Sequence, residues 1–450
     1  MNIDINIAIP AAGLGTRFSS YGFKENKFLL PIDINLTTMI EQAILTLIMK
    51  HDNLRFNFIF VMRKSNNNDL EIEEKLKSLC KKNHSECTIR WIDYLTEGPA
   101  TTSYLIKDLI NNDKPLIISN SDQILDWNFD KFLKKCKDYD GCVLTYDPPY
   151  EFEIGSNDKH SFVKFDKDNN PIEFVEKIAI SKEALVGVHY YKTTKLFIEA
   201  YEYLFKNNIR APNGEFYLSY TYQALLNMKY TVGTYKLENK EFFYPVGEPI
   251  DYFNYYNNQC PIKKYNLTND TKETTLNILN KYSEYFSINF NNSDDKITIT
   301  NKLFILIKGK TNIDVNIFIS DNREISFLEP TYYILFNLND LNITNKNIIL
   351  NDYKRGWILG NFTPSIEVNE DIEIGYLCHL KNSNWDFHYH KQSIEINFLV
   401  QGKMKINNID YNEQDIFIID QNVVSCPFFT EDCYIICIKI PSKPNDKYIV

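Results

Sequence analysis

The N-terminal part of the chain alternates short apolar runs with longer amphipathic ones. Ile5, Ile7 and Ile9 alternate along a strand over Ile5–Pro10, and a glycine-containing loop follows it. Met39–Met49 reads as a helix, Phe56–Met62 as a strand and Leu70–Cys80 as a second helix. A strand over Thr88–Ile92, a helix over Thr101–Leu109 and the apolar strand Pro115–Ser119 continue the alternation. Strands alternating with helices predict a mostly parallel sheet covered on both faces. Ligands of such sheets lie beyond the carboxyl ends of the strands, so the loops that follow strands are the places to search for chemistry.

The texture changes near Gln259. A helix-like stretch over Thr271–Phe286 leads into β-branched, aromatic and Asn-rich segments up to about Leu350, without a chemical motif. From Arg355 onward short strand signals recur at close spacing, which predicts a small barrel or sandwich. Three regions follow: 1–258, a connecting helix and β-rich region over 259–350, and 351–450. At 450 residues the chain exceeds what one compact core accommodates.

Composition narrows the function. The net charge of −10 comes without any basic run, which argues against nucleic acid as a partner. The N-terminus lacks the basic and apolar regions of a signal peptide, and no apolar stretch approaches the ~18 residues of a membrane span. Nine cysteines are scattered without a CxxC pair. Cys433 and Cys437 have a metal-like spacing but lie in an apolar, strand-like run. Reduced structural thiols in a cytoplasmic chain are therefore expected.

The loop after the first strand, Pro10-Ala11-Ala12-Gly13-Leu14-Gly15-Thr16-Arg17-Phe18, has small residues that let backbone N–H groups approach phosphates, and Arg17 offers a fork of donors. Gly22-Phe23 and Lys27-Phe28-Leu29-Leu30-Pro31 follow. Together these closely resemble the signature of sugar-phosphate nucleotidyltransferases. Glu97-Gly98-Pro99-Ala100-Thr101-Thr102 resembles that family's base-contacting segment, and Ser119-Asn120-Ser121-Asp122-Gln123 its metal-binding strand end. Glu176-Lys177, Gly187-Val188-His189-Tyr190 and Asn213-Gly214-Glu215-Phe216-Tyr217 resemble its substrate side. The resemblance covers residues 4–256 and implies a Rossmann-like domain transferring a nucleoside monophosphate from an NTP, CTP or UTP foremost, to a phosphorylated small molecule. It implies Ala11, Ala12, Gly13, Leu14, Gly15, Thr16, Glu97, Gly98 and Ala100 for the nucleotide, and Glu176, Lys177, Gly187, Asn213 and Glu215 for the acceptor. Arg17, Lys27 and Asp122 are the implied catalytic groups, with Asp122 holding Mg²⁺.

One departure bears on the acceptor. Where many relatives carry a second acidic metal ligand before Gly-Thr-Pro, this chain has Pro245 in Phe243-Tyr244-Pro245-Val246-Gly247-Glu248-Pro249-Ile250-Asp251. Glu248 is a substitute at a different position, and Asp251 suits a helix cap. A sugar phosphate and a non-sugar phosphate such as phosphocholine or phosphoglutamine both stay open, with capsule or surface-glycan synthesis as the implied pathway. The reading from another class is a nucleotide-binding scaffold that recruits a partner.

In the C-terminal region, His388 and His390 share a face of a strand, and a turn near Lys391–Ser393 would bring Glu395 beside them. Two imidazoles and a carboxylate suit Fe, Mn, Ni or Zn. With Gly402, this spacing resembles the first cupin motif over residues 355–445, which implies a cupin-like β-barrel and a homodimer contact through it. The second cupin histidine is missing, and Ser425 or Cys426 stands near its place.

Overall fold

The computed structural model describes residues 3–48, 54–64, 69–267, 279–320, 322–338 and 346–450. The chain divides into two compact units: Met1–Tyr21, Asn26–Ile32 and Thr37–Tyr255 form the first, and Gly22–Glu25, Asp33–Leu36 and Tyr256–Val450 the second.

The strands of the first unit are β1 (Ile5–Ala11), β2 (Phe56–Arg63), β3 (Glu86–Ile92), β4 (Leu116–Ser119), β5 (Gln123–Asp126), β6 (Gly141–Tyr146), β7 (Asn157–Phe165), β8 (Pro171–Ile178), β9 (Ala184–Tyr191), β10 (Val232–Lys236) and β11 (Phe242–Pro245). Its helices are α1 (Thr16–Tyr21), α2 (Met39–Ile48), α3 (Asp69–Lys82), α4 (Pro99–Tyr104), α5 (Phe129–Cys136), α6 (Thr194–Asn207) and α7 (Leu218–Asn227), and α8 (Pro249–Gln259) begins in it, its residues from Tyr256 on belonging to the second. The main sheet has the order β10-β6-β9-β4-β1-β2-β3, parallel throughout except at β9, which is antiparallel to both β4 and β6. β9 also carries an antiparallel insertion, in which β7 pairs with both β8 and β9.

Alternation along the strands builds a core on each face. Ile5, Ile7, Ile9, Phe56, Phe58 and Phe60 pack with α2, α3 and α5 through Ile44, Leu76 and Phe132. Ala8, Ile59 and Val61 point the other way and pack with α6 and α7 through Phe197, Tyr222 and Leu225. Local signals set the helix ends. The Thr38 backbone N–H donates to Glu41 Oε2 at 2.8 Å and the Glu41 N–H to Thr38 Oγ1 at 3.4 Å, a reciprocal cap for α2. The helix expected over Thr101–Leu109 starts earlier and is shorter: α4 ends at Tyr104, and bonds such as Leu109 N–H to Ile106 O at 2.9 Å continue it as tight turns.

In the second unit a six-stranded sheet runs in the order Lys263–Asn266, Asp415–Ile419, Ile394–Gln401, Cys433–Ile440, Glu373–His379, Trp357–Leu359. A three-stranded sheet (Ile409–Tyr411, Met404–Ile406, Pro427–Phe429) accompanies it. Residues 286–347 contain a five-stranded antiparallel sheet, and its Leu303, Ile305, Ile334 and Phe336 share one core with Ile396, Phe398, Ile416, Ile418, Ile436 and Ile438 of the six-stranded sheet. The six-stranded sheet is thus covered on one face by the residues between 286 and 347, while the intervening positions of its strands point into a cavity. Of the helix expected over Thr271–Phe286, residues 271–278 lie outside the described residues; Asn280–Tyr282 form a 3₁₀ turn and Phe286 opens a strand. Among the described residues no helix is long and apolar enough to cross a membrane.

Candidate functional site

Two loops of the first unit meet at an ion pair. Lys27 opens the 3₁₀ turn Lys27–Leu29, whose start is fixed by the Asn26 side chain accepting from the Phe28 N–H at 3.1 Å. Asp122 lies between β4 and β5. Its Oδ2 is 2.7 Å from Lys27 Nζ. Burial alone would raise the Asp122 pKa, yet the charge and hydrogen bond of Lys27, with Arg17 adding to them, hold it below the usual carboxylate range. Gly247 closes over the carboxylate: a Cβ there would stand 2.8 Å from Asp122 Oδ2, so a larger residue would displace the charge. The Val246 N–H donates to the Asp122 carbonyl at 3.1 Å and fixes the same loop. Beside it Arg17 Nη1 lies 3.2 Å from Glu248 Oε1.

Two cavities share this pair of loops. One, of about 290 Å³, is bordered by Pro10, Ala11, Ala12, Gly13, Lys27 and Gly98; the other, of about 620 Å³, by Arg17, Asn157–Ser161, Glu176, Lys177 and Gly187. Pro99, Asn120 and Asp122 line both, so Asp122 stands where the cavities adjoin. Gly98 has φ +115°, and a Cβ on it would meet Phe216 O at 2.5 Å, which explains a glycine at this approach.

The remaining expected residues divide. Leu14 is half exposed, and neither it, Gly15 nor Thr16 lines these cavities. Glu97 turns to Arg210, with 2.6 Å between its Oε2 and Nη2, and Ala100 is buried in α4. Glu215 borders the smaller cavity with the glycine loop, not the larger one expected of an acceptor residue. Asn213 borders neither; it donates to Glu215 Oε2 at 2.8 Å and holds that side chain. Glu176 is buried and accepts from Ser161 Oγ and, at 2.8 Å, from Ser219 Oγ; burial raises its pKa against these bonds. Lys177 extends over the Tyr217 ring.

Sequence reasoning passed over Asp158, Lys159 and His160 of the larger cavity and gave Gln123 no role of its own. Gln123 clamps Gly187, donating to its carbonyl at 2.8 Å and accepting from its N–H at 3.1 Å. His160 is held between Asp158 Oδ1 at 2.8 Å and the Tyr146 hydroxyl at 2.9 Å; burial lowers its pKa and Asp158 opposes the shift. Lys159 Nζ lies 2.7 Å from Asp251 Oδ2, so Asp251, expected as a helix cap, faces the cavity as an ion-pair partner. The signal available was the polar run Asn157-Asp158-Lys159-His160-Ser161 on a strand, which an ordinary buried sheet does not tolerate.

The C-terminal trio takes a different form from the expected metal centre. The Asp446 carboxylate accepts from the N–H groups of Lys391, Gln392 and Ser393 at 3.1, 3.0 and 2.8 Å, and so builds the anticipated turn. It brings His390 Nε2 within 3.1 Å of Glu395 Oε1. His388 Nδ1 bonds the Asp386 carbonyl at 2.7 Å and His390 Nδ1 the Asp446 carbonyl at 2.6 Å. Yet among the described residues no three His, Cys, Asp or Glu side chains assemble as a metal-binding group. A lysine also reaches the trio: Lys439 Nζ lies 3.3 Å from the same Glu395 Oε1. Burial would raise the Glu395 pKa, but Lys439 and His390 hold it well below the carboxylate range. Ser425 is engaged through its backbone with His388, and Cys426 Sγ lies 3.1 Å from the Trp385 carbonyl.

No family model and no curated protein matches the chain. Among solved structures, it is similar to a nucleoside-diphosphate-sugar pyrophosphorylase from Vibrio cholerae, with 21% identity over 56% of this chain and 99% of that one and a TM-score of 0.47. An inositol-1-phosphate CTP transferase from T. maritima is similar at 14% identity over 55% of this chain and 91% of that one, with a TM-score of 0.43. A UDP-glucose pyrophosphorylase complexed with UDP-glucose shares 17% identity over 57% and 98%, with a TM-score of 0.43.

Proposed function

We propose that the first unit is a nucleotidyltransferase that joins the α-phosphate of an NTP to a phosphate of a small acceptor and releases pyrophosphate. The observation that carries this reading is the place of Asp122 and Lys27: two cavities adjoin at Asp122, and the smaller is bordered by the glycine loop. The smaller would take the nucleotide and the larger the acceptor. Both reactants are anionic, so rate comes from positioning and charge neutralisation. Lys27 has three N–H donors and spends one on Asp122, which leaves donors for an α-phosphate oxygen. Arg17 would grip the leaving phosphates by its guanidinium fork. Glu176, Lys177 and the Asn157–Ser161 strand would orient the acceptor.

The donor set near Asp122 fits Mg²⁺ shared with substrate phosphates. One carboxylate is held by Lys27 Nζ on a backbone fixed by the Val246 N–H, and Mg²⁺ is ordinarily bound through one or two carboxylates plus phosphates and water. Bound there, the ion would supply charge neutralisation on the phosphate oxygens. For the second unit, polar and apolar positions alternating around one cavity support a cupin-like barrel without its metal.

Pyrophosphate release, measured with each NTP against sugar phosphates, phosphocholine and phosphoglutamine, tests the assignment. Turnover with one pair, lost in Lys27→Ala, is the expected outcome. NTP binding by calorimetry without turnover on any acceptor would sink it in favour of a nucleotide-binding scaffold.

A further inference from the structure

The second unit encloses a cavity of about 250 Å³ that the nucleotidyl transfer does not use. The inward positions of three neighbouring strands bring Glu373, Lys439 and Glu395 into register, with Lys439 paired to a carboxylate-bearing position on either side. That ammonium is therefore compensated. Two other cations on the wall are not: Arg355 and Lys447 form no ion pair among the described residues. Lys447 is half-buried with its Nζ 3.8 Å from the centre of the Trp385 ring. Burial and the nearby Lys439 and Arg355 pull its pKa down to about 8, against the charges of Glu395 and Asp386. A half-buried ammonium with no carboxylate in contact is a costly arrangement unless an anion completes it.

A second observation is independent of charge. Asn397 is 5% exposed, lines the cavity, and its Nδ2 has no hydrogen-bond partner. A buried amide left without a partner costs about 1–3 kcal/mol, so a donor unspent against a cavity marks where a ligand oxygen belongs. His388, with Nδ1 spent on Asp386 O, turns Nε2 free as an acceptor, and Glu373 adds acceptor oxygens. Trp385 and Phe429 supply apolar ring surface. Donors, acceptors and aromatic faces around one volume suit hydroxyl groups, which both give and accept hydrogen bonds.

We infer that this cavity binds, without a metal, a monosaccharide-sized hydroxylated acid whose single carboxylate or phosphate sits against Lys447 and whose hydroxyls are read by Asn397 and the opposing carboxylates. The full chain, treated with chelator, is titrated calorimetrically with D-glucuronate, with glucose 6-phosphate and with neutral glucose. One of the two acids binds at one site per chain and glucose binds more weakly than it; the tighter acid distinguishes carboxylate from phosphate. Lys447→Met, which keeps the side-chain volume, weakens that binding by about tenfold or more, as loss of a charge-assisted contact does. Lys27→Ala keeps it. Asn397→Asp is isosteric, places a negative charge at the unspent donor, and gives the same loss should Lys447→Met fail to fold. No heat with either acid overturns the inference. So does binding that survives both barrel variants, and so does binding abolished by Lys27→Ala, which would put the site in the first unit.

Discussion

The Lys27–Asp122 pair of the first unit and the Lys439–Glu395 pair of the second are alike in chemistry and opposite in setting. Lys27 and Asp122 sit on loops beyond strand ends, 95 residues apart in sequence, and meet at 2.7 Å beside a glycine. Lys439 and Glu395 face each other from adjacent strands of one hydrogen-bonded ladder, with Glu373 opposite on the other side. A loop-borne pair can part and re-form around a phosphate. A ladder-borne pair cannot move without its strands, so its charges answer to each other first and to a ligand second. On the proposed function, the same two side-chain types would serve turnover in one unit and internal neutrality in the other.

The sharpest way to break this contrast is Asp122→Asn. If the first pair is functional, pyrophosphate release falls by roughly a thousandfold, the scale of losing one group that stabilises transition-state charge. Stability measured by urea denaturation falls by less than about 3 kcal/mol, the cost for a fully buried pair, because the asparagine keeps the side-chain volume and both groups border open cavities. A large stability loss with modest kinetic change would put the pair in the structural class instead. Glu395→Gln is the converse. It leaves Lys439 with Glu373 alone, and the urea transition that reports the second unit should lose about 3 kcal/mol, the cost of breaking a buried pair from one side. An unchanged transition would mean the ladder does not lock these charges.

Gly247→Ala sharpens the first half of the comparison. The added methyl would meet the Asp122 carboxylate at 2.8 Å. A shift of about an ångström at a reacting group costs up to about a hundredfold in rate, so a ten- to hundredfold fall in pyrophosphate release is expected with the circular dichroism spectrum unchanged. Wild-type turnover in this variant would remove Gly247 from the positioning of Asp122.

What could be read from the sequence follows the range over which each feature is determined. The glycine loop, Lys27 and Asp122 lie in short segments with strong local character, and the structure brings them together. The β1-to-β4 alternation is likewise local, since each strand carries its own apolar periodicity. Other features depend on register between distant strands. Nothing near Glu395 announces that Lys439 will pair with it from the neighbouring strand. Nothing near Glu215 says that it borders the glycine-loop cavity, because its place depends on Phe216 pairing with Glu97. The antiparallel place of β9 likewise depends on its pairing with β4 and β6. One clue was present and went unused: Glu395, Asn397 and Lys439 interrupt apolar strands at inward positions, which marks a wall that faces something other than a core.

Lys447 gives the smallest and most selective test, because its effect has a sign opposite to that of the two ion pairs. Its pKa in the folded chain is lowered to about 8, against an ordinary lysine value of 10.5. Between those values the unfolded chain binds the extra proton and the folded one does not, so folding stability rises with pH through this window. Below pH 8 both states are protonated, and the folded state carries the full penalty of the charge. Lys447→Met should therefore raise stability at pH 7 by about 1 kcal/mol after allowance for solvent screening, and should flatten the rise between pH 8 and 10.5. Denaturation of wild type and variant at several pH values reads both effects. Saturating ligand should cancel the first, since an anion beside Lys447 removes the penalty that the methionine removes. A variant less stable than wild type at pH 7 would mean that Lys447 is already neutralised within the folded chain, and the contrast between compensated and uncompensated lysines would collapse.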